Sequence, residues 1–356
     1  RSRGLGDVYK RQVMKILLIN HYAGSPNLGM EFRPYYVTKG WVKLGHEVLI
    51  VGGSYSHLRK VQPQSCEEMI DDMRYRWVKV NPYKGNGIGR IISMFSFVTK
   101  LYCNYRRYLR NFKPDIVIAS STYPLDIYPA YRIARHYHAK LIYEVHDLWP
   151  LSPMELGGYS KKHPFIRIMQ KAEDDCYRYA DAVVSMLPKA EEHMREHGLT
   201  RDKFHYVPNG IVLSDWNNPK GIPEEHGLLL SKLRAEGKFI VGFAGAHGIA
   251  NSLYAVIDAV SSLTEQNVVL VLVGGGQEKE NLIKYAHKKG VTNVYFLLPI
   301  NKLAIPNLLK EMDVLYIGLQ KQSLFRFGIS PNKMFDYMMA AKPIIQAIDA
   351  LSLIHI

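Results

Sequence analysis

Residues 14–53 read MKILLINHYAGSPNLGMEFRPYYVTKGWVKLGHEVLIVGG, and this stretch decides the fold class. Its first apolar run, at 15–19, is short and ends in polar residues, which is typical of a strand buried in a parallel sheet. After a loop, apolar residues recur at helical spacing up to Leu44, and Gly45 follows where a helix C-terminal cap is expected. Residues 47–53 form a second apolar run. Strand, loop, helix and strand in this order predict the repeating unit of an open parallel α/β sheet.

The same alternation continues through two successive series of predicted strands and helices. The strands are expected at 115–120, 140–145, 182–185 and 204–208 in the first series, and at 238–245, 268–273, 294–297 and 314–317 in the second. The mostly polar stretch 213–236 is rich in Pro, Gly and charge and predicts a linker. We therefore expect two facing Rossmann-like, doubly wound parallel-sheet domains, 14–212 and 237–350, with a ligand cleft between them. The second domain is expected to be truncated.

The two ends of the chain predict sequence that is not native. One inverted DNA repeat would encode both Asp7–Gln12 and Leu351–Ile356, and it is typical of an adapter from a sequencing library. Residues 1–13 and 351–356 are therefore interpreted as adapter-derived and are left out of the folding argument. Met14 is then the expected start.

Charge and cysteine content narrow the class of protein. The formal net charge is +14, and residues 14–113 contain 16 Lys and Arg against 6 Asp and Glu. This excess predicts an anionic partner, and charge alone leaves both nucleic acid and acidic lipid open. The apolar runs are too short for a secretory signal or a membrane span. Three widely spaced cysteines fit a reduced cytoplasm better than a disulfide framework or a metal site, and no D-x-D metal motif is present.

Four motifs in order resemble those of family 4 glycosyltransferases, which have the GT-B fold. They are Asn20–Tyr36 (NHYAGSPNLGMEFRPYY), Glu144–Pro150 (EVHDLWP), Val207–Ile211 (VPNGI) and Ser330–Pro343 (SPNKMFDYMMAAKP). The chain is most similar to the subgroup that builds O-antigen or capsule repeats, including L-fucosamine-type transferases. The resemblance spans essentially 14–350.

In the first domain, the resemblance implies roles for three residues. Gly29 lies in the loop beside the donor phosphates and the acceptor, where helix N-terminal amides favour an anion; the alternative is a plain tight turn. His146 is expected against the donor sugar, where an imidazole can hydrogen-bond the sugar or stabilise developing charge. Arg33 would pair with an anionic acceptor or be a solvated surface residue.

In the second domain, the motif at 330–343 predicts a binding site for the nucleotide. Ser330 begins a helix on which Lys333 and Asp336, three residues apart, share one face. The helix N-terminus with Lys333 would suit a diphosphate leaving group, and Asp336 aligns with the family acid that binds ribose. The alternative is a plain Lys–Asp surface pair. The family's earlier acid, eight positions before, is Gly328 here, so its role is unassigned.

The segment 245–251 lacks the basic pair of many family members. Other groups are therefore needed to bind the negatively charged phosphates. Amides near Gly245, together with Lys333 and Arg326, are expected to bind them. Residues 274–276 are three glycines, which do not form the G-x-G-x-x-G fingerprint of NAD-binding proteins and are interpreted as a turn beside the nucleotide. We expect no cofactor and no metal; the substrate is a nucleotide sugar.

Residues 87–110 predict an amphipathic basic helix. Its apolar positions are expected on one face: Ile88, Ile91, Ile92, Phe95, Val98, Leu101, Tyr102, Tyr105 and Leu109. Flanking cations include Arg106, Arg107 and Arg110, which would suit the headgroups of an anionic membrane. The alternative is a core helix with a solvated basic edge.

Together these features predict a retaining glycosyltransferase on the inner face of the cytoplasmic membrane. It would move a hexose or amino-hexose from a UDP- or GDP-sugar to a lipid-linked saccharide in surface polysaccharide assembly, with no nucleic-acid partner. Three alternatives stay open: a non-hydrolysing sugar-nucleotide epimerase, a basic nucleic-acid-binding protein, and a binding module that is inactive because residue 328 is Gly.

Overall fold

The computed structural model describes residues 13–29, 32–85 and 87–349. The chain divides into two compact units between Val207 and Pro208. Apart from Val13, the expected adapter-derived ends at 1–13 and 351–356 lie outside the described residues.

The N-terminal unit is an α/β domain around one large sheet. Its strands are β1 (Lys15–Ile19), β2 (Glu47–Gly53), β3 (Glu67–Ile70), β4 (Met73–Val78), β5 (Ile116–Ala119), β6 (Lys140–Val145), β7 (Ala182–Ser185) and β8 (Phe204–Tyr206). Their order in the sheet is β3-β4-β2-β1-β5-β6-β7-β8, and neighbours are parallel except the antiparallel pair β3–β4. The helices are α1 (Phe32–Lys43), α2 (Ile88–Leu109), α3 (Ile127–Tyr137), α4 (Leu151–Gly157), α5 (Pro164–Tyr179) and α6 (Ala190–Glu196).

The central strands of this sheet are buried on both faces, which explains their continuous apolar sequence. Leu17, Leu18 and Ile19 of β1 are all fully buried. Since successive side chains of a strand point to opposite faces, helices must cover both sides. The polar residues that follow β1, β5 and β6 consequently gather at one edge, at the carboxyl ends of parallel strands.

The C-terminal unit is a smaller parallel α/β domain. Its strands are β9 (Phe239–Ala244), β10 (Val268–Val273), β11 (Val294–Leu297), β12 (Val314–Gly318) and β13 (Ile344–Ala347), in the all-parallel order β11-β10-β9-β12-β13. Its helices are α7 (Leu213–Asn217), α8 (Glu224–Ala235), α9 (Leu253–Ser261), α10 (Lys279–Lys288), α11 (Ile305–Lys310) and α12 (Asn332–Met339).

The stretch 213–236, predicted as a linker, is folded into the C-terminal domain as α7 and α8. Trp216, Leu230 and Leu233 belong to that domain's hydrophobic core. The stretch was predicted as a linker because most of its residues are polar. A few large apolar residues on one side of a short helix are nevertheless enough to dock it against a core.

Helix α2 has two apolar faces where the sequence predicted one. Phe97 and Leu101 are fully buried, whereas Ile88 and Ile92 are 76% and 56% exposed. Ile88 and Phe97 are nine positions apart, which is about half a turn away in a helix of 3.6 residues per turn. Among the described residues, none of the helices combines the length and the apolar content that crossing a bilayer requires.

Candidate active site

His146 follows β6 directly and is held by two polar neighbours at the carboxyl edge of the N-terminal sheet. Its Nε2 lies 3.0 Å from Ser120 Oγ and 3.4 Å from Glu144 Oε2. The histidine side chain is only 8% exposed. Because β5 and β6 are adjacent and parallel, the residues after their ends meet here. The ring is therefore fixed by its protein partners before any ligand binds.

Glu144 connects this histidine to Arg33. Arg33 Nε donates to Glu144 Oε1 at 2.9 Å, and both side chains are 9% exposed. The same guanidinium donates from Nη2 to the carbonyl oxygen of Val207 at 2.9 Å. Arg33 is thus not a solvated surface residue, and its pairing with an acceptor stays a prediction.

The carboxyl group of Glu144 remains ionised at neutral pH. Burial acts to raise its pKa, but the hydrogen bond and charge of His146, the charge of Arg33 and the hydroxyl of Ser120 outweigh it and lower the pKa to about 2. Ser120 Oγ donates to Oε2 at 2.6 Å. A fixed negative charge at this position would stabilise a protonated His146.

A second layer of buried polar groups lies at the ends of β1 and β5. His21 Nδ1 is 2.7 Å from Tyr123 Oη, and Ser121 N donates to Asp126 Oδ2 at 2.9 Å. Burial, followed by the charges of Arg59 and Arg90, holds the pKa of His21 well below its usual value, so this ring is neutral.

Asp126 is the group of this layer whose pKa lies close to neutral pH. It is fully buried, and burial raises its pKa to about 7. Its Oδ1 has no hydrogen-bond partner among the described residues. This group was not recognised from the sequence because Pro124-Leu125-Asp126 matches no catalytic motif.

Gly29 lies in a tight turn, and its backbone amide already donates a hydrogen bond within the protein. Its φ is +105°, and a Cβ there would lie 2.8 Å from the backbone nitrogen of Lys60, so a side chain would be strained and crowded. Its N–H donates to Ser25 O at 2.8 Å. This geometry explains why residue 29 is a glycine without reference to a ligand. The place of Gly29 beside the donor phosphates stays a prediction.

In the C-terminal domain, Gly245 and Lys333 are in contact. A Cβ on Gly245, just after β9, would lie 3.2 Å from Lys333 Nζ. That Nζ donates to Asn251 Oδ1 at 2.9 Å and lies 5.1 Å from the ring centroid of Phe243. Burial lowers the pKa of Lys333 to about 8. A half-buried cation with a neutral partner is suited to an incoming anion, which would restore the charge balance lost on burial.

The three glycines after β10 pack against the loop after β9. A Cβ on Gly274 would lie 1.9 Å from the carbonyl oxygen of Gly245, and one on Gly276 would lie 2.4 Å from that of His247. His247 N donates to Gly275 O at 2.9 Å. The glycines therefore bring two strand-end loops into backbone contact at the carboxyl edge of this sheet, which is the usual place for a ligand in such folds.

His247 is a buried residue of these loops that the sequence did not single out. Neither of its ring nitrogens has a hydrogen-bond partner among the described residues. Burial, and then the charge of Lys279, lowers its pKa to about 4, so the ring is neutral at physiological pH. His247 lies in the segment 245–251, where many family members carry a basic pair. Because its ring is neutral, it does not supply the positive charge of that pair.

Ser330 and Asp336 both have internal partners. Ser330 Oγ accepts from Asn209 N at 3.0 Å, and Ser330 O accepts from Asn209 Nδ2 at 2.8 Å, which joins the VPNGI and SPNK motifs. Asp336 is 7% exposed; its Oδ1 accepts from Trp216 Nε1 at 3.3 Å and its Oδ2 from Lys302 Nζ. Lys333 and Asp336 thus contact different neighbours, and ribose binding by Asp336 stays a prediction.

Arg326 and Gly328 precede α12. Arg326 is exposed, stacks on Phe327 at 4.3 Å and donates to Ser323 O at 2.7 Å. Gly328 has a φ of +88°, a conformation that an acidic residue adopts only with strain. The backbone therefore accounts for the absence of the family's first acid.

The cations predicted for the membrane side lie at the C-terminal end of α2. Arg106 and Arg107 are exposed, and Arg110 Nη1 lies 3.5 Å from Glu67 Oε2 with 62% of its side chain exposed.

Comparison with protein families identifies the family of this chain. Residues 29–210, about half of the chain, match the Glycosyl transferase 4-like domain, and residues 230–346 match Glycosyl transferases group 1. The chain belongs to the family 4 glycosyltransferases. The predicted fold class is confirmed as well, since solved structures that resemble this glycosyltransferase are GT-B enzymes.

The similar proteins act in polysaccharide and sugar metabolism. TuaH of Bacillus subtilis (strain 168), named as a teichuronic acid biosynthesis glycosyltransferase, is 24% identical over 215 residues, which are 58% of this chain and 50% of that protein. This glycosyltransferase therefore spans about half the length of that relative.

Solved structures match over most of the chain. Anabaena HepE in complex with UDP-glucose has a TM-score of 0.61 at 18% identity, covering 95% of this chain and 81% of that one. Sucrose-phosphate synthase from Thermosynechococcus elongatus has a TM-score of 0.68 at 14% identity, covering 94% and 81%. At these identities the likeness establishes the fold of the glycosyltransferase.

Proposed function

We propose that this glycosyltransferase moves a hexose or amino-hexose from a UDP- or GDP-sugar to a lipid-linked saccharide in surface polysaccharide assembly, with retention of anomeric configuration. The L-fucosamine-type subgroup and an O-antigen or capsule product follow from the motif resemblance. HepE with bound UDP-glucose and TuaH with its role in teichuronic acid synthesis support a nucleotide-sugar donor and a polysaccharide product.

The contact between Lys333 and Gly245 is the observation that carries the proposal. A cation of lowered pKa lies beside a glycine loop at the carboxyl edge of a parallel sheet. Lys333 would bind the diphosphate and stabilise the charge that develops when it leaves, together with loop amides other than that of Gly245, which already donates to Val273 O at 2.9 Å. The C-terminal domain would thus bind the donor, and Arg326 at the loop before α12 would add a second cation.

The N-terminal domain would supply the acceptor side and His146. Glu144, ionised beside it, holds the imidazole, which can hydrogen-bond the sugar while the bond between the anomeric carbon and the phosphate oxygen breaks. The bonding electrons leave with the diphosphate, and positive charge develops on the anomeric carbon and the ring oxygen. Glu144 is a positioning residue in this scheme because it reaches His146 and Arg33.

Incubation of the full chain with UDP- and GDP-sugars and a polyprenyl-diphosphate-linked saccharide tests the proposal. We expect an elongated lipid-linked product whose new linkage keeps the donor's anomeric configuration by NMR. A new nucleotide sugar formed without acceptor would indicate the epimerase instead. No turnover and no donor binding across both nucleotide classes would refute the proposal.

Contact with the cytoplasmic membrane surface is proposed for the exposed face of α2. Ile88, Ile92, Phe95 and Tyr102 are 76%, 56%, 36% and 40% exposed, respectively. The exposed cations that follow on the same helix are complementary to anionic headgroups.

Co-sedimentation with vesicles tests this contact. The chain is expected to bind vesicles that contain anionic lipid and to be released by high salt. The double variant Ile88→Ser, Ile92→Ser should lose most binding, whereas Leu228→Ser, a 65% exposed leucine of α8, should not. Equal binding to DNA and to vesicles would favour the nucleic-acid alternative.

A further inference from the structure

A cluster of metal-binding side chains lies on α5 and α6, outside the residues assigned to sugar transfer. Glu173 is on α5, His193 is on α6, and His197 follows α6 directly. One potential ligand atom from each lies within 4.8 Å of the other two. The two histidines are four positions apart, so a helix brings them to the same side. This H-x-x-x-H pair was not recognisable as a metal site from the sequence, because its acidic partner lies 20 residues before His193.

The separations are close to those of a coordination sphere. His193 Nε2 lies 3.2 Å from Glu173 Oε1, and the ring centroids of His193 and His197 are 4.7 Å apart. Tetrahedral zinc with bonds of about 2.0–2.1 Å places its ligand atoms roughly 3.3 Å from each other. Small side-chain movements would therefore complete the site.

When His197 Nδ1 carries no proton, the hydrogen bonds around Gln170 leave more acceptors than protons. Gln170 Nε2 has two protons but lies 2.8 Å from Glu173 Oε2, 2.9 Å from Asp174 Oδ1 and 2.8 Å from His197 Nδ1. His197 Nδ1 is also 3.1 Å from Asp174 Oδ1. A neutral ring nitrogen either accepts from Gln170 or donates to Asp174, and it cannot do both. A cation near these atoms would satisfy all of the acceptors together.

Charge favours a cation as well. Glu173 is 1% exposed, and the hydrogen bonds that it accepts from Tyr177 Oη at 2.9 Å and Gln170 Nε2 at 2.8 Å come from neutral groups, so His193 is its one partner here that could carry a charge. A buried carboxylate is stable only when it is paired or bound to a metal. Asp174 adds a second carboxylate beside His197, so a fourth potential ligand is close to the set.

An ion would have a route to this cluster. His197 and Asp174 border a cavity of about 420 Å³. Lys203, which also lines it, donates to the carbonyl oxygens of Tyr177 and Arg178 at 3.3 and 3.5 Å. Its ammonium group is therefore occupied by backbone acceptors.

We propose that Glu173, His193 and His197 bind one divalent transition-metal ion, Zn²⁺ being the best fit, and that the ion ties α6 to α5. Two imidazoles and a carboxylate suit Zn²⁺, whereas Mg²⁺ and Ca²⁺ prefer sites made of oxygen alone. Binding to the folded state alone would stabilise the N-terminal domain. The site is independent of the transfer reaction.

Metal titration of the full chain after chelator treatment and dialysis tests the proposal directly. One equivalent of Zn²⁺ is expected to bind in calorimetry, and excess Zn²⁺ should raise the Tm by about 5 °C or more. The same concentration of Mg²⁺ should leave the Tm unchanged. Co²⁺ should give the intense visible absorption of a tetrahedral site. Failure of the wild-type chain to bind one equivalent would overturn the proposal.

Variants separate this site from other histidines. His197→Gln is the primary variant, because its side chain is 27% exposed and its loss should not unfold the domain. It is expected to weaken Zn²⁺ binding at least about tenfold and to abolish the Co²⁺ absorption. His205→Gln, an exposed histidine of β8, is the matched control and should bind as the wild type does. Unchanged Zn²⁺ affinity in His197→Gln would place the ion elsewhere and overturn the proposal.

Discussion

Arg33 and Glu144, 111 residues apart in the sequence, form a buried ion pair in which Nε lies 2.9 Å from Oε1. The other oxygen of Glu144 contacts Ser120 and His146. One carboxylate therefore joins α1 to the histidine that the motif EVHDLWP singled out. His146 depends on this ion pair for its orientation and for the charge that it experiences.

Glu144→Gln should reduce both stability and catalysis. The substitution leaves Arg33 buried without its counterion, which costs about 3–5 kcal/mol in the free energy of unfolding. A misoriented His146 should lower kcat by about a hundredfold. Urea unfolding and donor turnover measure the two effects. Glu192→Gln, an exposed carboxylate of α6, should change stability by less than about 0.5 kcal/mol. An equally small change in Glu144→Gln would show that the ion pair is dispensable.

The same carboxylate should make stability depend on pH in a defined acidic window. Its pKa is lowered from 4.5 to about 2 in the folded state. A lowered carboxyl pKa contributes stability that is complete above the unfolded value and is lost as pH falls through the folded one. The stability difference between wild type and Glu144→Gln should therefore be constant from pH 5 to 7 and shrink below about 4.5. Urea midpoints at each pH measure it; a difference that grows on acidification would contradict the assignment.

Lys333 should make nucleotide binding pH-dependent. Burial lowers its pKa to about 8, and a bound diphosphate would raise it again. Because the complex holds a proton that the free protein loses above pH 8, UDP affinity should fall up to about tenfold per pH unit there. Calorimetry between pH 7 and 9 measures this slope. Lys333→Met should weaken binding and flatten the profile, whereas Lys288→Met, an exposed lysine of α10, should alter neither. A slope that persists in Lys333→Met would assign the proton to another group.

The central parallel strands were predictable because they are apolar almost throughout, whereas β4 and β13, which contain polar residues, were not predicted. β1, β2, β9 and β10 are each buried on both faces, and a short continuous apolar run records that environment directly. The hairpin β3–β4 was missed because charged residues interrupt its strands: Glu67 in the edge strand β3, and Arg74 and the buried Arg76 in β4. Its signal was the pair Asp71-Asp72, both with positive φ, which forms a two-residue turn.

Contacts between distant residues were beyond the sequence. The motifs placed His146 correctly at the end of a strand and Lys333 in the first turn of a helix, but nothing in one sequence pairs Arg33 with Glu144 or Asn209 with Ser330. Such partners follow from topology, which brings together residues more than a hundred positions apart. Asp336 illustrates the same limit, since its helical position was foreseeable and its contacts with Trp216 and Lys302 were not.

Gly274→Ala should disrupt the contact between the two glycine loops. The added Cβ would lie 1.9 Å from Gly245 O, so the backbone must shift, at a cost of about 1–3 kcal/mol. Movement of Gly245 also displaces the site of Lys333, so UDP binding should weaken. Gly275→Ala is the matched control, because its Cβ would meet nothing closer than Pro299 at 3.8 Å. The Tm from thermal unfolding and the UDP affinity from calorimetry are compared between the two variants. Equal values would show that the two loops can move apart without loss of stability or binding.

Restoring the family's first acid by Gly328→Glu should fail to raise activity. Gly328 has φ +88° and ψ 174°, a region that is essentially restricted to glycine, so any side chain there is strained by about 1–3 kcal/mol before its chemistry matters. Gly328→Ala carries the same backbone strain without the carboxylate and is the matched control. We expect both variants to unfold at lower, similar temperatures and to show donor turnover no higher than the wild type. A higher turnover in Gly328→Glu but not in Gly328→Ala would contradict this prediction. It would show that the loop before α12 can adopt a second conformation and that the missing carboxylate limits the turnover of the wild type.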